Sequence, residues 1–304
     1  MKQRRALLII NAKSRSGAES RSAAMDALAA GGIDLVEGGC NRRDEVGPCI
    51  RAHAADVDRV VLAGGDGTLN SAAAALAETG LPLGILPTGT ANDLARTLSI
   101  PSDLKLAADV IAAGQTRKID LGVVNDQPFF NAASIGLSVE LTRQLNRDIK
   151  RYFGRLSYAV AAVRVLARVH PFYAMITAEG GTARVHTLQI AVGNGRYYGG
   201  GTVIERDASI DDQRLDLYSL EFRRAWKLAL LARDLRHGEH GAWREVRTIR
   251  ARNFEVSTRR PKPVNVDGEI VTQTPARFSV RPAALSVFVP KDDPVPSQPA
   301  RQPD

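Results

Sequence analysis

From residue 5 to about 113 the chain alternates between short apolar runs and longer segments rich in Ala and Leu. The runs ALLII at 6–10, RVVLA at 59–63 and PLGILP at 82–87 have the length and β-rich composition of strands. Each is followed by a stretch of helical length, such as Leu69 to Glu78 and Asp103 to Ala113. That alternation predicts βαβ units and a parallel sheet. Beyond Ile119 the texture changes to LGVVNDQPFF, FYAMITAEGGTARVHTLQIAVGN and RFSVRPAALSVFVP, whose Asn-Asp and Gly-Gly dipeptides suit tight hairpin turns. This half reads as largely antiparallel. Two helical stretches interrupt it, Val139 to Leu166 with a break at Gly154, and Arg223 to Arg236, both with Arg spaced to leave one face apolar. From Pro290 the tail PKDDPVPSQPARQPD is polar and Pro-rich, the composition of a flexible end. The pattern predicts an α/β domain over residues 1–120, a β-rich domain over 121–290 and a tail over 291–304.

Composition narrows the partners. With 304 residues, 44% apolar and 24% charged, the chain suits one large or two medium globular domains. Its formal charge of +8 favours an anionic partner: nucleic acid, a phosphate ligand or an anionic membrane. Charge is all that favours nucleic acid, since no RNP motif, zinc finger or helix-turn-helix accompanies it. Cys40 and Cys49 fit neither a CxxC pair nor a zinc knuckle, so no disulfide framework is expected and a reducing, cytoplasmic setting is the simpler one. The apolar run Ala6 to Ile10 stops at Asn11, short of a signal-peptide core. No stretch reaches the ~20 apolar residues of a bilayer span. Membrane contact is therefore expected to be peripheral. His237 and His240 lack the carboxylate or Cys set of a metal site and read as surface or packing residues.

The sharpest feature is Val60-Val61-Leu62-Ala63-Gly64-Gly65-Asp66-Gly67-Thr68-Leu69-Asn70, an apolar strand entering a glycine loop and then an Ala-rich helix. Glycines let backbone approach an anion closely, and the helix start turns N–H groups and the positive dipole end toward it. The spacing is neither a Walker A loop nor a GxGxxG fingerprint. Taken alone, the loop also fits a plain βα turn. Two further small-residue loops follow strands, Asn11 to Gly17 and Leu86-Pro87-Thr88-Gly89-Thr90-Ala91-Asn92-Asp93. Three such loops at strand ends lie where α/β sheets place a ligand crevice.

Together GGDGTLN, LPTGTANDLAR, the first loop, KRYFGRLSYA, the GGG at 199–201 and the late VDGE resemble the diacylglycerol-kinase catalytic family, in particular the bacterial soluble lipid kinases of the YegS and DgkB type. The resemblance spans residues 5 to 290. GGDGT is shared with NAD kinases and more loosely with phosphofructokinases, whereas GTANDLAR, GGG and VDGE in that order are more specific. The resemblance implies an α/β nucleotide-binding domain, a mainly antiparallel β-sandwich domain and a cleft between them. It implies ATP binding by Asn11, Gly64, Gly65, Asp66, Gly67, Thr68, Leu69, Asn70 and Thr90, with Asp66 beside a catalytic Mg2+. It puts the proton acceptor at Glu269 and a positioning or metal-side carboxylate at Asp267. A lone Asp-Gly-Glu also fits a solvated hairpin turn. It further implies a structural Mg2+ held by Asp212 and the carbonyls of Ser209 and Arg214.

The chain departs from the family in four places. Gln213 stands where Gly is usual, Glu205-Arg206-Asp207 where a Pro-containing segment is common, Ala12 replaces a Pro, and the second strand GIDLVEGG lacks a Thr that often contacts nucleotide. The left-handed conformation that Gly favours is less open to Gln. Arg143, Arg147, Lys150, Arg151 and Arg155 around Tyr152 and Phe153, and Arg223, Arg224 and Lys227 around Trp226, suit an anionic lipid surface or equally a solvated helix face. The expected function is an ATP- and Mg2+-dependent kinase of a membrane lipid, diacylglycerol- or phosphatidylglycerol-like, with a homodimer left open. The rivals are a kinase for a soluble acceptor such as NAD, and a nucleotide-binding regulatory protein without turnover.

Overall fold

The computed structural model describes residues 4–10, 18–40, 42–148, 169–205, 207–222 and 227–291. They form two compact units. The first holds Met1–Leu121, Ser209–Gln213 and Pro282–Asp304, and the second holds Gly122–Ala208 and Arg214–Arg281.

In the first unit the order is β1 (Arg4–Ile10), α1 (Ala18–Ala30), β2 (Ile33–Glu37), α2 (Arg43–His53), β3 (Arg59–Gly64), α3 (Asp66–Thr79), β4 (Leu83–Pro87), α4 (Asp93–Thr97), α5 (Leu104–Ala113) and β5 (Thr116–Val124), whose last residues belong to the second unit. The predicted parallel sheet is present, in the order β2-β1-β3-β4. Leu7, Val60, Val61, Leu62 and Leu83 are fully buried, which is why these strands read as unbroken apolar runs. Asp103 caps α5 by accepting the Leu106 N–H at 3.0 Å, and Gly114 closes it in the left-handed conformation at φ 78°. The winding of the sheet reverses between β1 and β3. Open α/β sheets bind ligands beyond the carboxyl ends of the strands at such a switch point.

The second unit holds β6 (Gln127–Phe129), β7 (Ala132–Gly136), α6 (Leu137–Asp148), β8 (Phe172–Ala178), β9 (Gly181–Thr187), β10 (Gln189–Gly193), β11 (Tyr197–Tyr198), β12 (Thr202–Val203), β13 (Leu215–Leu220), α7 (Leu228–His237), β14 (Val246–Ala251), β15 (Asn253–Thr258), β16 (Pro263–Val266) and β17 (Glu269–Gln273), followed by β18 (Ala276–Phe288), which runs on into the first unit. An antiparallel sheet of order β14-β13-β10-β7-β16-β17 faces a second antiparallel layer of β9, β8, β15 and the start of β18. Ile135, Ile190, Val192, Leu217 and Val264 from one layer and Phe172, Ile176, Phe254 and Phe278 from the other form the core between them. The opposite face of the larger sheet is also covered, by a cluster that includes Leu137, Tyr218, Leu220, Leu228 and Leu231. Alternate residues of β13 thus serve two cores, and its six residues are all buried.

The predicted hairpin dipeptides turn the chain where expected. Asn125 and Asp126 take φ 46° and 67° between β5 and β6, and Gly181 takes φ 123° where β9 begins. His240 packs in the interior, edge-on to the Tyr218 ring at 5.2 Å, and burial pushes its imidazole pKa down. Of the helices expected over Val139 to Leu166 and Arg223 to Arg236, residues 149–168 with Gly154, and 223–226, lie outside the described residues, as do residues 292–304 of the tail. Among the described residues, no helix is long and apolar enough to cross a membrane.

Candidate active site

Two glycine loops leave the carboxyl ends of the adjacent strands β3 and β4. In the first, Gly65 precedes α3 and its carbonyl accepts the N–H groups of Thr68 and Leu69 at 2.9 and 3.1 Å. In the second, Asn92 at φ 51° closes the loop on Gly89, accepting its N–H at 3.0 Å and donating to its carbonyl at 3.1 Å. The loops meet backbone to backbone. A Cβ on Gly89 would stand 2.5 Å from the Gly65 Cα, and one on Gly65 would stand 2.9 Å from the Gly89 Cα. Only a glycine pair permits this approach. Asp66 adds a second tie, its Oδ1 accepting the Leu94 N–H of α4 at 3.1 Å. Thr88, between the strand and Gly89, is buried, and its hydroxyl has no hydrogen-bond partner among the described residues. A helix start, close-packed glycine backbone and an orphaned buried hydroxyl are features that an anionic ligand satisfies.

The other residues of these loops divide by exposure. Thr90 is exposed, Gly67, Asp66 and Asn70 are half-buried, and Thr68 is buried against Gly64. Leu69 is 1% exposed and belongs to the core, so only its main chain can face a ligand. Asn11 lies outside the described residues. Arg43, which the sequence did not single out, lays its guanidinium on Gly67, where a Cβ would stand 2.8 Å from Cζ. No local pattern connects an exposed arginine at the start of α2 with a loop in the next βα unit.

In the second unit, Asp267 and Gly268 form the turn between β16 and β17, at φ 45° and 95°. The Asp267 carboxylate accepts three backbone N–H groups, from Phe130 at 2.8 Å, Asn131 at 3.1 Å and Ala132 at 3.0 Å. Buried Asn265 accepts the Gly268 N–H at 2.9 Å and donates to the Thr142 hydroxyl of α6 at 2.7 Å. The turn is pinned to two other elements, and Glu269, the next residue, is exposed. Asp267→Ala leaves three N–H groups without their charged acceptor and is expected to cost roughly 3 kcal/mol or more, read by chemical denaturation. A loss within error of zero would show that the turn holds without this carboxylate.

The segment Ser209–Gln213 is held by β5. Arg117 donates from Nη2 and Nε to Asp211 Oδ2 at 2.6 and 2.9 Å, and Asp120 accepts the N–H groups of Gln213 at 2.6 Å and Ala283 at 2.7 Å. Burial pushes the Asp120 carboxyl pKa up, against the pull of those two N–H groups. Gln213 takes φ 61°, so the left-handed conformation is formed here without glycine. Among the described residues, no three His, Cys, Asp or Glu side chains gather to hold a metal. An ion at this turn would depend on main-chain carbonyls, such as those of Ser209 and Arg214, beside the carboxylate of Asp212. Hard oxygen donors of that kind suit Mg2+.

Residues 5–124 match the diacylglycerol kinase catalytic domain, and residues 131–289 match the YegS C-terminal NAD kinase beta sandwich-like domain. A Pseudomonas fluorescens protein named "Probable lipid kinase YegS-like" is 34% identical over 97% of this chain and 98% of its own. The chain belongs to the YegS-like lipid kinase family. It is therefore an enzyme, a lipid kinase. A Mycobacterium tuberculosis diacylglycerol kinase is 34% identical over 86% of each chain. The crystal structure of a diacylglycerol kinase from Bacillus anthracis str. Sterne superposes with a TM-score of 0.75 over 97% of this chain and 100% of its own at 20% identity, and a second structure from that organism reaches 0.82 over 97% and 98% at 24%. These likenesses show the same fold, an α/β unit with an antiparallel β-sandwich unit, as the sequence predicted.

In this lipid kinase the GGG segment is the tip of the β11–β12 hairpin, with Gly199, Gly200 and Gly201 at φ 60°, 88° and 103°. It belongs to the second unit. Of the basic and aromatic residues expected to face lipid, Lys150, Arg151, Tyr152, Phe153, Arg155, Arg223, Arg224 and Trp226 lie outside the described residues, and Arg143 and Arg147 fall on α6 with undescribed side chains. Lys227 pairs with Glu245 at 3.2 Å.

Proposed function

We propose that this lipid kinase transfers the γ-phosphoryl group of ATP to a hydroxyl of a diacylglycerol- or phosphatidylglycerol-like lipid, working from the cytoplasmic face of the membrane without spanning it. The observation that carries the nucleotide half is the backbone contact of Gly65 and Gly89 beside the buried Thr88 hydroxyl. Gly64, Gly65, Gly67, Thr68, Asn70 and Thr90, with Asn11 and the main chain of Leu69, hold the phosphates. Backbone N–H groups aimed at the phosphate oxygens stabilise the charge that builds there during transfer. Glu269 accepts the proton of the lipid hydroxyl. As it does so the hydroxyl oxygen bonds to the γ-phosphorus and the bond to the bridging oxygen breaks, releasing ADP. Asp267 keeps Glu269 in place through the turn. Asp66 is the carboxylate for Mg2+, which when bound neutralises charge on the β- and γ-phosphate oxygens. A second Mg2+ is assigned to Asp212 with the carbonyls of Ser209 and Arg214, a role in folding rather than chemistry.

The name of the Mycobacterium tuberculosis relative supports a diacylglycerol acceptor. The sandwich match carries NAD kinase in its description, so NAD is the acceptor to test against. Purified protein with labelled ATP and Mg2+ should phosphorylate one of a panel of lipids in mixed micelles and leave NAD unlabelled. Clean formation of NADP with no labelled lipid would overturn the proposal. ATP binding without transfer to any acceptor would replace it with a nucleotide-binding protein that lacks turnover.

A further inference from the structure

The large hydrophobic side chains exposed among the described residues are Leu106, Tyr173, Met175, Ile270 and Val271, and two of these directly follow Glu269. Ile270 is 39% and Val271 45% exposed. They lie on β17, the edge strand of the six-stranded sheet, whose only strand partner among the described residues is β16. In a regular strand, successive residues face opposite sides of the sheet. Here the pairing passes from Asn265↔Ile270 to Val264↔Thr272, so Val271 is the extra residue of a β-bulge. Bulges bend an edge strand and re-aim its side chains, and they gather next to active sites. On the partner strand Val264, Asn265 and Val266 are all buried, whereas Ile270 and Val271 are exposed. A β-branched apolar pair on an open edge invites strand pairing unless something covers it.

We infer that Ile270 and Val271 form an acyl-chain contact for the lipid acceptor, seating the apolar part of the substrate next to the base. The inference rests on the proposed role of Glu269. Val271 is two residues along the strand, within about 7 Å of Glu269. In a diacylglycerol the reacting hydroxyl is separated from the ester-linked chains by only a few bonds. A base that takes the proton from that hydroxyl must therefore have apolar substrate within the reach of its strand neighbours. The acceptor's chains cover what is exposed here, and their burial contributes to lipid affinity rather than to the chemical step.

The test is the double variant Ile270→Thr and Val271→Thr, which keeps the β-branched shape and hence the strand, with Leu106→Thr as a control that removes equally exposed apolar surface from the first unit. Kinetics would use dioleoylglycerol in mixed micelles, varying its surface mole fraction, with micelle binding measured in parallel. The double variant should raise the KM for lipid about ten-fold and weaken micelle binding to match, with kcat and the KM for ATP within about two-fold of wild type and thermal unfolding unchanged. Leu106→Thr should leave all of these unchanged. A double variant with the wild-type lipid KM, or an equal loss in Leu106→Thr, would overturn the inference while leaving the kinase reading intact. A wild-type dimer that the double variant dissolves would make the strand a subunit interface and overturn it as well. Wild-type protein that neither binds nor phosphorylates lipid would remove the underlying reading together with the inference.

Discussion

Glu269→Ala is expected to lower kcat for lipid phosphorylation by about 10²–10⁴-fold, the usual worth of a positioned general base, while ATP binds almost as in wild type. The asymmetry follows from where the residue sits. Glu269 is exposed on the first position of β17 and belongs to the turn that Asp267 anchors. The hydrogen bonds that tie the turn to residues 130–132 and to Asn265 come from the Asp267 carboxylate and the Asn265 amide, so the turn should persist when the Glu269 carboxylate is removed. Glu269→Gln separates the two functions of a carboxylate, since the amide keeps shape and hydrogen bonding but takes up no proton at neutral pH. If Glu269 is the base, both variants lose turnover alike. A Gln variant with near-normal turnover, or an Ala variant that loses ATP affinity as much as turnover, would sink the assignment.

What the sequence made legible here is what short-range physics determines. Ala6 to Ile9 of β1, Val60 to Gly64 of β3 and the whole of β4 are buried and carry no polar side chain, and the loops that follow β3 and β4 need glycine where backbone meets backbone. Both signals are local, and the predicted ranges lie within a residue or two of the observed strands. The Asn125-Asp126 turn was readable for the same reason, since left-handed φ values select a small set of residues. The contacts that hold the candidate site were not readable. Arg117 and Asp120 grip a turn some ninety residues downstream, and Asp267 accepts N–H groups from a loop far earlier in the chain. A carboxylate inside KIDLGVV was a hint that Asp120 must have buried partners, but the partners themselves carry no mark. The strand RFSVRPAALSVFVP was read with the antiparallel half. It is antiparallel to β15 at its start, but beyond Ala283, at φ 49°, Val287 lies parallel to Leu83 of β4. Strand direction depends on the neighbour, and no local pattern names the neighbour. The bulge at Val271 escaped for a similar reason, because an extra residue is defined only against the partner strand.

Asp66 carries the other large effect, and two substitutions divide its roles. Its Oδ1 accepts the Leu94 N–H, linking the glycine loop after β3 to the helix after β4, so it helps hold the loop as well as offering charge. Asp66→Asn can keep that bond through the amide oxygen while removing the negative charge. Asp66→Ala removes both, and should be less stable by at least about 1 kcal/mol in denaturant unfolding, the worth of this hydrogen bond by itself. If the carboxylate is the Mg2+ ligand, the two variants should be alike in function. Each should lose turnover by at least about 10²-fold, because charge on the transferring oxygens is left uncompensated. Each should also lose the increment in ATP affinity that Mg2+ gives the wild type, measured by calorimetry with and without the ion. An Asn variant that keeps turnover beside an inactive Ala variant would make Asp66 a structural link between the loops. A change confined to the KM for lipid would place the residue on the acceptor side, and the glycine loop would then have to be reassigned.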